Sequence, residues 1–170
     1  MSRAFVRESD MPQEPELPAP AAVLPPGAKN YVTPAGAERL RQELARLLES
    51  RPSLAAASAH DVDARRELQA LDRRIRHLQE SLRTAEVVAP DAGPADVVRF
   101  GATVTLREPD GAESRYRIVG VDEADSAKNE ISWLSPLGRA LLNARVGERV
   151  TFHAPRGARE LAIEAIGYER

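Results

Sequence analysis

Apolar residues recur at steps of three and four through Ala37, Leu40, Leu44 and Leu47, and Leu54 falls one heptad after Leu47. That spacing predicts an α-helix. Thr33 followed by Pro34 predicts its start: a capping hydroxyl, then a proline at the first helical position, where a missing N–H is harmless. Pro52 lies on the same stretch and removes one helical hydrogen bond. Because Leu54 keeps the phase of the stripe, the helix is expected to continue, kinked, through Ala55-Ala56-Ala57. A second stripe, Leu68, Leu71, Ile75, Leu78 and Leu82, is the clearest periodic signal in the chain, and either Asp61 or Asp63 can cap the helix that carries it. Two seams joined by a short break at Ala59-His60 predict an antiparallel coiled-coil hairpin, with arms of about 25 residues or roughly 38 Å. A hairpin with one narrow seam has little core, so its base must lean on something else.

After Ala89-Pro90-Asp91-Ala92-Gly93-Pro94, a linker by composition, the period becomes two. Val104 with Leu106, Tyr116 with Ile118, Ile131 with Trp133, Val150 with Phe152 and Leu161 with Ile163 predict five short strands. Pro109-Asp110-Gly111 and Pro155-Arg156-Gly157 suit hairpin turns. Ser135-Pro136 predicts a short helix burying Leu137, Ala140 and Leu141 before Gly147. The fold class is therefore α+β, a helical hairpin followed by a small antiparallel sheet wrapped on one short helix. Residues 1–30 hold six of the thirteen prolines and almost no periodicity, which predicts a disordered, polyproline-like tail. Within it, Phe5 and Val6 beside Arg3 and Arg7 read as a frayed terminus or a short docking motif. The expected units are a tail over 1–30, a hairpin over 31–88, a linker over 89–96 and a sheet domain over 97–170.

Composition narrows the chemistry. There is no cysteine, and the three histidines, His60, His77 and His153, lie far apart, so thiol chemistry and histidine-rich metal sites are not expected. No apolar run is long enough for a membrane span and the first ten residues hold no signal-peptide core, so the expected location is cytoplasmic and no membrane partner is expected. A formal charge of −2 argues against nonspecific wrapping of nucleic acid over the whole surface. Nucleotide-binding glycine motifs, nucleophile elbows and paired-histidine zinc motifs are absent, so an enzyme is not expected.

Three polar clusters stand out. Asp61 and Asp63, beside His60 at the expected hairpin tip, are candidate metal ligands, or else caps that favour a helix N-terminus. Asp122, Glu123 and Asp125 read as a solvated loop or as a partner-binding edge. On the second helix Arg66, Arg73, Arg76 and Arg83 share the face opposite the leucines, where a phosphate backbone could be met, and Glu80 in that face can pair with Arg76 or Arg83.

Several uncommon segments agree with one known pattern. Asn30-Tyr31-Val32-Thr33-Pro34, Leu71-Asp72-Arg73-Arg74-Ile75, Ala85-Glu86-Val87-Val88, Phe100-Gly101-Ala102-Thr103-Val104, Tyr116-Arg117-Ile118-Val119-Gly120 and residues 135–142, Ser-Pro-Leu-Gly-Arg-Ala-Leu-Leu, resemble the bacterial Gre family of transcript-cleavage factors, the GreB branch most closely. The resemblance implies a coiled-coil finger and an FKBP-like C-terminal domain. It also implies that the latter docks at the rim of the RNA polymerase secondary channel while the finger enters the channel. Docking carries over to Ser135, Pro136, Leu137 and Asp122. Nucleic acid would then be met only within the transcription complex, by a monomeric factor.

Family members that stimulate cleavage carry Gly-Asp-x-x-Glu-Asn at the tip, whose Asp and Glu hold the second magnesium ion of the polymerase. Here the tip is Ala59-His60-Asp61-Val62-Asp63-Ala64, and the finger is expected to be about a dozen residues shorter, or roughly 9 Å in reach. Leu134 stands where the family is often acidic. The reading that follows is a channel-binding elongation regulator without efficient cleavage and with no cofactor of its own. One alternative is a working cleavage factor using Asp61 and Asp63 with the polymerase Mg2+. Another is an FKBP-like module for a different partner, as in nucleoside diphosphate kinase regulators. An isomerase pocket is not expected, because Phe100, Tyr116, Trp133, Phe152 and Tyr168 are too few to line one and read as core.

Overall fold

In the computed structural model, residues 24–89, 95–154 and 157–168 are described. The expectations for the tail before Leu24 and for the centre of the linker lie outside them. Helices α1 (Pro34–Ala57) and α2 (Val62–Thr84) form the hairpin. Thr33 caps α1 from an extended conformation, its hydroxyl accepting the Gly36 N–H at 2.9 Å. The helix runs unbroken through Pro52. Asp61 is the cap that α2 uses, accepting the Asp63 N–H at 2.8 Å.

The hairpin is best packed at its root. Ala37 and Leu40 of α1, Leu78 of α2 and Val32 are buried together, whereas Leu44, Leu47 and Leu82 are half-buried around them. Two strands that the periodicity did not predict, β1 (Asn30–Val32) and β2 (Ala85–Val87), pair in parallel where the chain enters and leaves the hairpin. The Asn30 amide, buried, donates to the Ser81 carbonyl at 3.0 Å and the Thr84 hydroxyl at 3.2 Å, tying β1 to the last turn of α2.

The second domain holds β3 (Ala102–Arg107), β4 (Glu113–Val119), β5 (Glu130–Ser132), α3 (Pro136–Leu141), β6 (Arg149–Ala154) and β7 (Gly157–Tyr168), so all five expected strands and the short helix are present. Their order in the sheet is β5-β4-β3-β7-β6. The sheet is mixed, which corrects the all-antiparallel expectation: β4 and β5 run parallel, with Ile118 opposite Ile131. Between them the chain makes two 3-10 turns, Val121–Glu123 and Ser126–Lys128, and this excursion brings it back in the same direction. One sheet face, with Val104, Leu106, Tyr116, Ile118, Ile131, Phe152, Leu161 and Ile163, closes over Leu137 and Leu141 of α3. Of the five aromatics expected in the core, Tyr116 and Phe152 are buried, and Phe100, Trp133 and Tyr168 are half-buried against it.

Candidate functional site

Three regions hold the expected site residues. At the hairpin tip, the Asp61 carboxylate is engaged in capping α2, and Asp63, with its side chain 88% exposed, faces the Arg66 guanidinium at 3.4 Å. His60 is exposed beside them. Among the described residues no group of three or more His, Asp or Glu side chains is placed to hold a metal ion.

Along α2, Arg66, Arg73, Arg76 and Arg83 are all exposed, but the two ends of the row are paired within the helix. Arg66 meets Asp63, and Arg83 grips Glu80 through two bonds of 2.8 and 2.6 Å, holding the Glu80 carboxyl below its usual range. The open part of the face is Arg73 with Arg76. The neighbouring charges brace the hairpin instead. Arg51 of α1 binds both oxygens of Asp72 on α2, at 2.7 and 3.1 Å, and Arg74 of α2 binds both oxygens of Glu43 on α1, at 2.7 and 2.9 Å. The sequence reading missed these forks. The signal was there: with Leu71, Ile75 and Leu78 as the seam, Asp72 and Arg74 occupy the flanking heptad positions that pair across helices. Arg51 sits where the seam of α1 skips from Leu47 to Leu54.

The third region is the loop from β5 into α3. The buried Ser132 hydroxyl accepts the Leu134 N–H at 3.1 Å, and the Ser132 carbonyl accepts the Ser135 N–H at 2.9 Å. The buried Ser135 hydroxyl caps α3 through the Gly138 N–H at 3.0 Å. Leu137 belongs to the core. Ser135 and Leu137 thus shape the loop from inside, and its outward side is made by Leu134, half-buried, with Pro136 and Arg139, exposed. Trp133 packs on Tyr31 of β1, ring centroids 5.3 Å apart, and the Phe100 ring centroid lies 5.8 Å from that of Tyr31. The loop therefore touches the root of the hairpin.

The acidic run after β4 is not a solvated loop. Glu123 is buried, and Asp122 is mostly covered, with its side chain 13% exposed and one oxygen 2.6 Å from Nε2 of His77 on α2. Asp125 alone of the three faces outward to an ammonium, Lys128, at 3.2 Å.

A family model described as the C-terminal domain of the transcription elongation factors GreA/GreB matches residues 93–168, the span of the sheet and α3. Transcription elongation factor GreB of Neisseria meningitidis (serogroup B, strain MC58) is 42% identical over 154 residues, covering 82% of this chain and 94% of that protein. The chain belongs to the GreA/GreB family. GreA of Desulfovibrio desulfuricans is 37% identical over 145 residues, 78% of this chain and 88% of the relative. GreB of Pseudomonas aeruginosa is 36% identical over 150 residues, 81% and 89% of the two chains. Among solved structures, GreA factor homolog 1 (Gfh1) of Thermus thermophilus matches at 30% identity over 82% of this chain and 99% of its own, with a TM-score of 0.40. In this GreA/GreB chain, then, the braces and the loop into α3 belong to a transcription elongation factor. Among the described residues no helix is long and apolar enough to cross a membrane.

Proposed function

We propose that this GreA/GreB-type factor docks on RNA polymerase at its secondary channel through the C-terminal domain. There it occupies the channel with its finger and does not promote efficient transcript cleavage. Docking is assigned to the loop built by Ser135, Pro136 and Leu137, with Pro136 as its exposed contact and Ser135 and Leu137 holding its shape. Asp122 supports that surface from the hairpin side. Such a factor works as a monomer in the cytoplasm, and its exposed Arg73 and Arg76 would meet nucleic acid only inside the transcription complex.

The observation that carries the reading is the tip. Asp61 is committed to the α2 cap, Asp63 stands alone against Arg66, and no further carboxylate converges on them among the described residues. These residues do not fit a shared magnesium ion, which needs two or more oxygens converging on it. Reach points the same way. The arms, of 24 and 23 residues, extend only about 36 and 35 Å.

The deciding experiment incubates backtracked elongation complexes with magnesium and the protein while competing it against a cleavage-active Gre factor. Suppression of the competitor's cleavage, with RNA otherwise shortened only at the intrinsic rate, is the expected result. Stimulated cleavage that disappears in an Asp61→Ala/Asp63→Ala double variant would establish the cleavage reading instead. Failure to compete would remove the channel-binding reading.

A further inference from the structure

The finger can act in the channel only if it points the right way from the docked domain, so its direction must be set where the two parts meet. We propose that two consecutive acids, Asp122 and Glu123, are the positioning residues that set this direction, one for each helix of the hairpin. The inference rests on the channel-binding reading for its purpose, but its geometry stands in the free protein.

Glu123 holds α1. Its carboxylate, 1% exposed, accepts the backbone N–H of Thr33 at 2.9 Å, the Thr33 hydroxyl, and the N–H of Gly120 at 2.9 Å, with the Arg39 guanidinium 3.8 Å away. A buried carboxylate is costly unless donors surround it, and here they do. Thr33 is the cap of α1, so the charge also sits at the helix end whose dipole favours an anion. Room for the carboxylate is left by two glycines. A Cβ on Gly36 would overlap it, and one on Gly120 would collide with the Tyr31 carbonyl and crowd it.

Asp122 holds α2. One oxygen lies 2.6 Å from Nε2 of His77 and the other accepts the Ser81 hydroxyl. His77 and Ser81 are four residues apart and so lie on one side of the helix. The two grips differ from the aromatic contact of Tyr31 with Trp133 in being directional. A hydrogen bond to a carboxylate fixes both distance and angle, whereas apolar packing tolerates sliding. Direction matters because the hairpin is a lever. A tilt of about 10° at the root moves the end of an arm of about 36 Å by roughly 6 Å, about half the ~10–12 Å width of a helix, enough to change what the finger meets in a channel.

The chain has no cysteine, so spin labels can be placed at will. Cysteines at Ala59, exposed at the tip, and Thr151, exposed on β6, report the angle between finger and sheet by double electron–electron resonance. In the otherwise wild-type protein the distance distribution should be narrow. In Asp122→Asn and in Glu123→Gln it should broaden about twofold or move to a new mean while the circular dichroism spectrum is kept, as expected when an equilibrium between orientations is released. Glu123→Gln, which lies outside the docking surface, should still pull down core polymerase while losing crosslinks from the tip to it. If Glu123→Gln does not fold, Asp122→Asn carries the test, since its side chain lies nearer the surface. A wild-type distribution in Asp122→Asn overturns the proposal. Failure of the wild-type protein to bind polymerase would remove the channel reading and leave the distance result standing.

Discussion

Tyr31, in the strand that leads into the hairpin, packs 5.3 Å from Trp133, in the loop that leads into α3. Trp133 is the only tryptophan in the chain, so its fluorescence reports on that contact. Tyr31→Ala should uncover part of the indole and shift its emission to longer wavelength without loss of the native circular dichroism. An unchanged emission maximum would mean that the finger root does not shelter the loop.

Gly36→Ala inverts an ordinary rule. In an exposed helix interior, alanine in place of glycine stabilises by about 1 kcal/mol. At this site the added methyl would overlap the Glu123 carboxylate, and the substitution should cost about 1–3 kcal/mol instead, as overpacking does. Urea denaturation gives the sign directly.

The interhelical fork at Asp72 makes the hairpin sensitive to acid. Hydrogen bonding from Arg51 holds the Asp72 carboxyl below the usual carboxylate range, against a smaller opposing effect of burial and with further help from the charges of Arg51 and Arg76. A carboxyl whose folded value is depressed stabilises the fold above its unfolded value, near about 4, and that contribution is lost as pH falls through the folded value. Denaturation midpoints measured from pH 6 downward should therefore fall below about pH 4, and Asp72→Asn should flatten part of that fall. Equal slopes in the two proteins would show that the fork contributes nothing.

Pro52 leaves the Leu48 carbonyl without its helical donor inside α1. Pro52→Ala restores that bond and should raise the stability of the hairpin by up to about 3 kcal/mol, read as a higher melting temperature. A lower melting temperature would show that the proline's own packing outweighs the missing bond.

What the sequence could show followed from periodicity. The seams of α1 and α2, the caps at Thr33 and Ser135 and the five strands of the sheet domain were visible because each follows a local rule, whereas the α2 cap was left open between Asp61 and Asp63. β1 and β2, at three residues each, are too short to show a period, and they pair across the whole hairpin. Glu123 read as a loop acid because its partner Thr33 lies 90 residues away, and no local pattern distinguishes a buried carboxylate from a solvated one. The parallel pairing of β5 was hidden for the same reason, since strand direction depends on the path through the turns at residues 121–128. At the tip the acids were visible, but that Asp61 is occupied as a cap is a matter of geometry.

The parallel pairing of β1 with β2 fixes the two feet of the hairpin side by side, with Asn30 opposite Ala85. Beyond those feet and the grips that Asp122, Glu123 and Glu130 make on Thr33, Arg39, His77 and Ser81, the hairpin is a cantilever whose span can change without re-engineering its mounting. A heptad added to both arms would lengthen it by about 10 Å in register, and removal of one would shorten it equally. Reach and attachment are thus separable traits in this architecture, and a longer arm with a different tip could be exchanged onto the same feet.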